Sequence, residues 1–318
     1  MKIAAVAERV REVVQTLGRI VVGKDEVLER ILAGILANGH VLVEDYPGLA
    51  KTLIARLLAQ ALDLGFRRIQ FTPDLLPSDI TGSFLYDQRE GRFEFRAGPV
   101  FANLLLADEI NRATPKTQAA LLEAMQEFQV TLEGQSFPLP QPFVVIATQN
   151  PVELEGTYPL PEAQLDRFLL RVGVGYPDAD AEREILSIRR ARRTDTVAVP
   201  VLVTRSELLD MQQALEDVFV SEPLERYIVA LAQATRTDPR VALGASPRGS
   251  LAVLKLARAE AAIRGRDFVL PDDVKAVAVA ALAHRVTLRS ELWVSRVTPA
   301  QVVESLLQQV PAPAAGPS

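Results

Sequence analysis

The chain has 318 residues, 48% hydrophobic and 24% charged, with a formal net charge of −5; that is length enough for two domains and a balance that suits a packed core rather than wholesale disorder. The acidic balance argues against non-specific nucleic-acid binding. With no cysteine and two histidines, His40 and His284, Cys nucleophiles, disulfides and Cys/His zinc sites are excluded, a Ser-His-Asp triad is poorly supported, and any metal should be a hard ion on oxygen ligands.

Val6, Val10, Val13, Val14 and Leu17 share one helix face, broken by Glu8, Arg9, Arg11 and Glu12. The first segment therefore reads as an amphipathic helix to about Leu17 and not as a signal peptide. No apolar run is long enough to cross a bilayer, so a soluble, cytoplasmic protein is expected. A second amphipathic helix is predicted over 24–37. Strands and helices then alternate. "HVLVED", "RRIQFT", "VFANLLLADEI", "PFVVIATQNP" and "FLLRVGVGYP" read as buried strands, and "KTLIARLLAQAL" and "TPKTQAALLEAMQE" as helices. Apolar strands separated by helices predict an α/β core with a parallel sheet covered on both faces. Two segments break the alternation. "GSFLYDQREGRFEFRAG" alternates at Phe93 and Phe95 with a turn at Glu90-Gly91, and "FQVTLEGQSFPLP" alternates at Val130 and Leu132 with a turn at Glu133-Gly134. Both are predicted as inserted β-hairpins, whether functional or mere decoration of the sheet edge.

Beyond Tyr176-Pro177 the pattern becomes helical. "DADAEREILSIRRARR" is a helix whose basic end (Arg189, Arg190, Arg192, Arg193) reads as solvated rather than as a binding patch. Four further helices are expected at 206–218, 223–234, 247–264 and 271–282, three of them opening on a proline, which suits the first helical turn. The resulting division is an α/β core at 1–190, a connector at 191–203, a small all-α domain at 204–310 and a disordered tail at 311–318.

The chemistry concentrates at strand ends. In "VLVEDYPGLAKT" a strand runs into a loop, and Lys51-Thr52 open a helix. A ring of backbone N–H groups and a helix N-terminus would cradle a phosphate there, as in a P-loop NTPase, with Lys51 on the β- and γ-phosphates and the Thr52 hydroxyl on Mg²⁺. The glycine pattern fails, with Asp45 and Ala50 at the two glycine positions, although Gly48 remains and Pro47 stiffens the loop. "LLLADEINR" sets Asp108 and Glu109 after an apolar strand, beside the crevice of a parallel sheet. Asp108 would hold Mg²⁺ and Glu109 would deprotonate a water, or the pair would simply cap the next helix. Asn150, closing "ATQN", would hold that water or the γ-phosphate, or serve as a turn residue before Pro151. Arg167, Arg171 and Arg248 offer rigid donor forks for phosphate, or surface ion pairs, Arg167 with Asp166 or Glu162.

In this order the motifs resemble an AAA+ ATPase, and specifically the MoxR family, over residues 6–307. The similarity rests on "EDYPGLAKT", "LLLADEINRATPKTQAALLEAMQE", "ATQNPVELEGTYPLPEAQLDRFLLR" and "GASPRG", with "FVLPDDVKAVAVAALAHRV" similar to the family's lid domain. The resemblance implies that Lys51 and Thr52 belong to Walker A, within a nucleotide-binding segment of Pro47, Gly48, Leu49, Ala50 and Leu53. Asp108 and Glu109 match Walker B, and Asn150 matches sensor 1. Arg167 matches the arginine finger, with Arg171 or Arg112 as substitutes, and Arg248 matches sensor 2, acting in cis or in trans. Val22 and Gly23 match the segment near adenine, and the hairpins match the helix-2 insert and the pre-sensor-1 insertion. Asp45 and Ala50 are familiar variations in the family. Tyr46 departs from the small residue or Val expected there, and its ring would stack on a neighbour or narrow the loop.

The implied cofactors are ATP and Mg²⁺. The implied partners are further copies of this chain in a ring, hexameric by analogy, a client protein, and proteins with a von Willebrand factor A domain; no membrane is implied. The expected function is ATP-driven, chaperone-like remodelling or maturation of clients. The alternatives are a nucleotide-dependent switch or scaffold with little turnover and, less supported by the acidic charge, a DNA-acting motor.

Overall fold

The computed structural model describes residues 1–46, 48–150 and 156–314, with the side chains of 293–295 left aside. The chain opens with α1 (Ile3–Gly18) and α2 (Asp25–Leu36), followed by β1 (Val41–Glu44), α3 (Lys51–Ala61) and β2 (Phe66–Gln70). A single turn α4 (Pro77–Thr81) precedes the hairpin β3 (Gly82–Asp87) and β4 (Arg92–Ala97). Next come β5 (Leu104–Asp108), α5 (Pro115–Glu127), the hairpin β6 (Gln129–Leu132) and β7 (Gln135–Pro138), and β8 (Val144–Gln149). The turn α6 (Glu162–Leu165) and β9 (Leu170–Val172) complete the sheet, and α7 (Ala179–Arg192) leaves it.

Five strands form one parallel sheet in the order β2-β5-β8-β1-β9, as the alternating pattern predicts. Successive side chains of a strand face opposite ways, so the two faces can be read off the sequence. Val41, Val43, Leu104, Leu106, Val144 and Ile146 join a core with α1, α2, α3 and the C-terminal helices. Leu42, Leu105, Ala107, Val145 and Ala147 join a second core with the apolar side of α5. Both expected hairpins form, with turns at the expected positions. They also touch each other, since Phe95 of the first stacks on Phe137 of the second with ring centroids 4.1 Å apart.

The C-terminal part holds α8 (Arg205–Glu216), α9 (Glu222–Thr237), β10 (Val241–Leu243), α10 (Pro247–Ile263), α11 (Pro271–Leu282), β11 (Thr287–Leu288) and α12 (Pro299–Gln309). The helical expectation omitted two features: a short antiparallel ribbon of β10 and β11, and α12 with its Thr298–Gln301 capping box. α1 packs on α2 and on α10, so the N-terminal helix bridges sheet and helical part. A rivet of side chains also joins the two parts. The guanidinium of buried Arg285 donates to Asp166 Oδ1 (2.7 Å) and to the carbonyls of Phe168 and Leu169, and Ser246 Oγ donates to Asp166 Oδ2 (2.9 Å). Burial lowers the Arg285 pKa, opposed by Asp166.

Candidate functional site

Four parallel strands deliver polar groups to one cleft of about 400 Å³. It is lined by Gly48, Leu49, Ala50, Lys51, Thr52 and Leu53 after β1, Arg68 and Gln70 on β2, Asp108 and Glu109 at the end of β5, and Asn150 after β8. This is the carboxyl edge of the sheet, where open α/β folds bind ligands. Pro47 lies outside the described residues.

The loop after β1 turns on two left-handed residues, Gly48 (φ 83) and Ala50 (φ 55). Ala50 thus adopts the conformation that the missing glycine would have supplied. It is also the residue that starts α3, and it gives that helix no side-chain cap, so the first N–H groups keep their hydrogen-bonding capacity. A Cβ at Gly48 would meet nothing within 4 Å, which leaves an open cradle beside the helix N-terminus. Lys51 Nζ donates to the Asp45 carbonyl at 2.7 Å. Burial lowers the Lys51 pKa, while Asp45, Asp108 and Glu109 act to raise it.

Asp108 is buried and well held. It accepts from Thr148 Oγ1 at 2.7 Å, from Arg68 Nε and Nη2 at 3.0 and 2.8 Å, and from Thr52 Oγ1 at 3.5 Å. Glu109 is left-handed (φ 56, ψ 50), an uncommon state for a residue with a side chain and one often found at functional sites. Its N–H donates to Thr148 Oγ1 at 2.8 Å, and its carboxylate accepts from Gln70 Nε2 at 2.8 Å and Arg112 Nη1 at 3.1 Å. Asn150 is buried where β8 ends, on the wall of the cleft.

Other expected residues lie elsewhere. Arg167 is half-buried and donates to the Leu122 carbonyl on α5, and its Nε has no partner among the described residues. Arg171 pairs with Glu44 at 2.7 Å. Arg248 is exposed on the first turn of α10. Neither Arg167 nor Arg248 is among the residues lining the chain's own cleft. Val22 and Gly23 line a separate depression with Gln15, Gly18, Arg19, Asp25 and Glu184. Arg68, Gln70 and Thr148 went unnoticed in the sequence. The register pairs Gln70 with Asp108 across β2 and β5, so a polar residue ending "RRIQ" was the available signal. For Thr148 the signal was a hydroxyl inside an otherwise apolar strand.

Tyr46 stacks on a neighbour: its ring lies 5.6 Å from that of Tyr176, at 30°. Asp45 is buried, and its carboxylate accepts from the N–H groups of Tyr46 (2.8 Å) and Gly175.

A phosphate-type loop after β1, in a parallel sheet ordered β2-β5-β8-β1-β9 with paired carboxylates after β5, defines a P-loop nucleotide-binding fold. The family model for the ATPase family associated with various cellular activities (AAA) matches residues 40–170, and that for the AAA lid domain matches residues 233–306. The chain is 46% identical to "Chaperone MoxR1" of Mycobacterium tuberculosis over 98% of this chain and 84% of that protein. It is 45% identical to "Uncharacterized protein YeaC" of Bacillus subtilis over 94% of this chain and 93% of that protein. A solved structure of a putative ATPase from Cytophaga hutchinsonii superposes with a TM-score of 0.90 at 42% identity, covering 98% of this chain and 96% of that one. The chain belongs to the MoxR family of AAA+ ATPases. Among the described residues no helix is long and apolar enough to cross a membrane.

Proposed function

We propose that this chain binds MgATP in the cleft after β1, β5 and β8 and hydrolyses it within a homo-oligomeric ring, six-membered by resemblance, to remodel or mature client proteins. The observation that carries the reading is the convergence of an uncapped helix N-terminus, Lys51, Thr52, Asp108, Glu109 and Asn150 on one cleft. The residues suit the ligand. The space at Gly48 is open, Lys51 supplies a positive charge, and a hydroxyl and a carboxylate stand 3.5 Å apart as oxygen donors for a hard cation. Among the described residues no cluster of three or more His, Cys, Asp or Glu could hold a metal.

In this reading Lys51 and the first amides of α3 would bind the phosphates, and Thr52 and Asp108 would hold Mg²⁺. The ion would neutralise charge on the β- and γ-phosphate oxygens. Glu109 accepts a proton from the attacking water, and Asn150 orients that water or the γ-phosphate. Arg167 and Arg248 stand off the chain's own cleft, which supports a neighbour's arginine completing it. The chaperone name of one relative supports a protein client. A partner with a von Willebrand factor A domain rests on the resemblance alone.

One observation favours the second reading, a nucleotide-dependent switch with little turnover. Gln70 and Arg112 hold the Glu109 carboxylate, and Arg68 occupies Asp108. Both readings need a nucleotide in this cleft. Equilibrium binding of a fluorescent ATP analogue tests that need. Loss of the Lys51 charge on phosphate should weaken binding by about ten- to a hundred-fold in Lys51→Ala. Equal affinity of Lys51→Ala and wild type would count against the cleft as the nucleotide site.

A further inference from the structure

The turn between β9 and α7 is fastened from three sides. Lys24, next to Gly23, points its ammonium at the carbonyls of Val174, Gly175 and Tyr176, at 2.9, 2.9 and 3.1 Å. Asp45 of the phosphate loop accepts the Gly175 N–H. Tyr46 of the same loop stacks on Tyr176, although both rings are exposed. Directly beyond this turn, Asp178 caps α7 by accepting from the Ala181 N–H at 2.8 Å. Ala181 then lies so close to Gly23 that a Cβ there would sit 3.3 Å from the Ala181 Cβ.

α7 itself has almost no other anchorage. Of its 14 residues Ala181 alone is buried. A helix without a buried face takes its direction from its ends, and the N-terminal end of α7 is this fastened turn. The other end runs into the 193–204 segment, whose Leu202 and Val203 amides donate to the Ala61 carbonyl, where α3 ends. The phosphate loop starts α3 and also grips the turn before α7. It therefore holds the first anchor of the path to the C-terminal helices directly, and it leads into the helix whose far end carries the second.

Resting on the nucleotide reading of the cleft, we infer that Asp45 and Tyr46 are positioning residues. They tie the phosphate loop to the turn at 174–176, so that nucleotide affinity is set partly by that turn and the direction of α7 responds to the loop. The departure from the glycine pattern is then the device itself. A glycine at 45 has no carboxylate for the Gly175 amide, and a small aliphatic side chain at 46 has no ring for Tyr176.

The test is a double-mutant cycle read as the Kd of a fluorescent ATP analogue with Mg²⁺ on the full chain. Tyr46→Ala and Tyr176→Ala should each raise Kd by about three- to ten-fold, the contribution expected of one aromatic pair. The double variant should be no weaker than the singles, because they remove the same interaction. Tyr46→Phe should restore the affinity, since the ring and not the hydroxyl makes the contact. Asp45→Gly should weaken binding even though it restores the common glycine. Wild-type affinity in both tyrosine variants, or losses that multiply in the double variant, would overturn the inference while leaving the nucleotide site standing. Failure of the wild type to bind ATP would instead overturn the nucleotide reading, and this inference with it.

Discussion

Thr148 holds both acidic residues of the cleft at once. Its hydroxyl donates to Asp108 and accepts the N–H of Glu109, and it is fully buried. The two carboxylates were legible in the sequence because the carboxyl end of a parallel strand falls beside the ligand crevice. The clamp between them was not, because it depends on β5 and β8 being neighbours. The same limit applies to Gln70 and Arg68, which meet Glu109 and Asp108 only through the β2–β5 register. His40 illustrates a purely structural polar residue. Its Nδ1 accepts the Val145 N–H at 3.0 Å, and its Nε2 faces the Met125 carbonyl at 2.9 Å, so the neutral ring satisfies both sites. Burial pushes its pKa down to about 4. Between pH 6.5 and 4 the unfolded chain then holds a proton that the folded chain does not, so stability from this residue is intact above 6.5 and lost as pH falls towards 4. The full loss is about 3 kcal/mol. Urea unfolding at pH 7, 5 and 4 should therefore show a steeper fall for wild type than for His40→Gln. Parallel profiles would contradict this account of His40.

The hairpins show what element-level reading can and cannot reach. Alternation and the Glu-Gly turns located both of them. Their mutual contact was invisible, because β3–β4 and β6–β7 are far apart in the chain and meet only when α5 brings the second beside the first. Phe95 is the hub, touching Phe84, Phe101 and Phe137. Truncating a fully buried Phe costs roughly 3–5 kcal/mol, and Phe95 is half-buried, so about 2 kcal/mol is expected for Phe95→Ala. The distinctive outcome is spatial: hydrogen exchange should accelerate in 129–138 as well as in 82–97. Unchanged protection of 129–138 would mean that the hairpins do not support each other. α12 was missed for a different reason, since its signal was present. Thr298, Pro299 and Gln301 form a start signature at a helix N-terminus, which a closer reading of the local pattern would have found.

At the scale of the molecule, the sheet and the helical part share one continuous core and are riveted through Arg285, Asp166 and Ser246. Asp166 precedes Arg167, and Ser246 lies two residues before Arg248, so the two arginines off the cleft hang on one joint. Removing the Asp166 carboxylate leaves the Arg285 charge buried with only backbone carbonyls and the His284 ring nitrogen as partners. Asp166→Ala should cost about 3 kcal/mol in thermal or urea unfolding, and a loss below about 1 kcal/mol would show the rivet to be dispensable. The central claim, that this cleft hydrolyses ATP with Glu109 as its base, is tested most directly by steady-state phosphate release with Mg²⁺. Wild type should turn over ATP, whereas Glu109→Gln should still bind it and release phosphate at least about a hundred-fold more slowly. Release by Glu109→Gln at the wild-type rate would contradict the account.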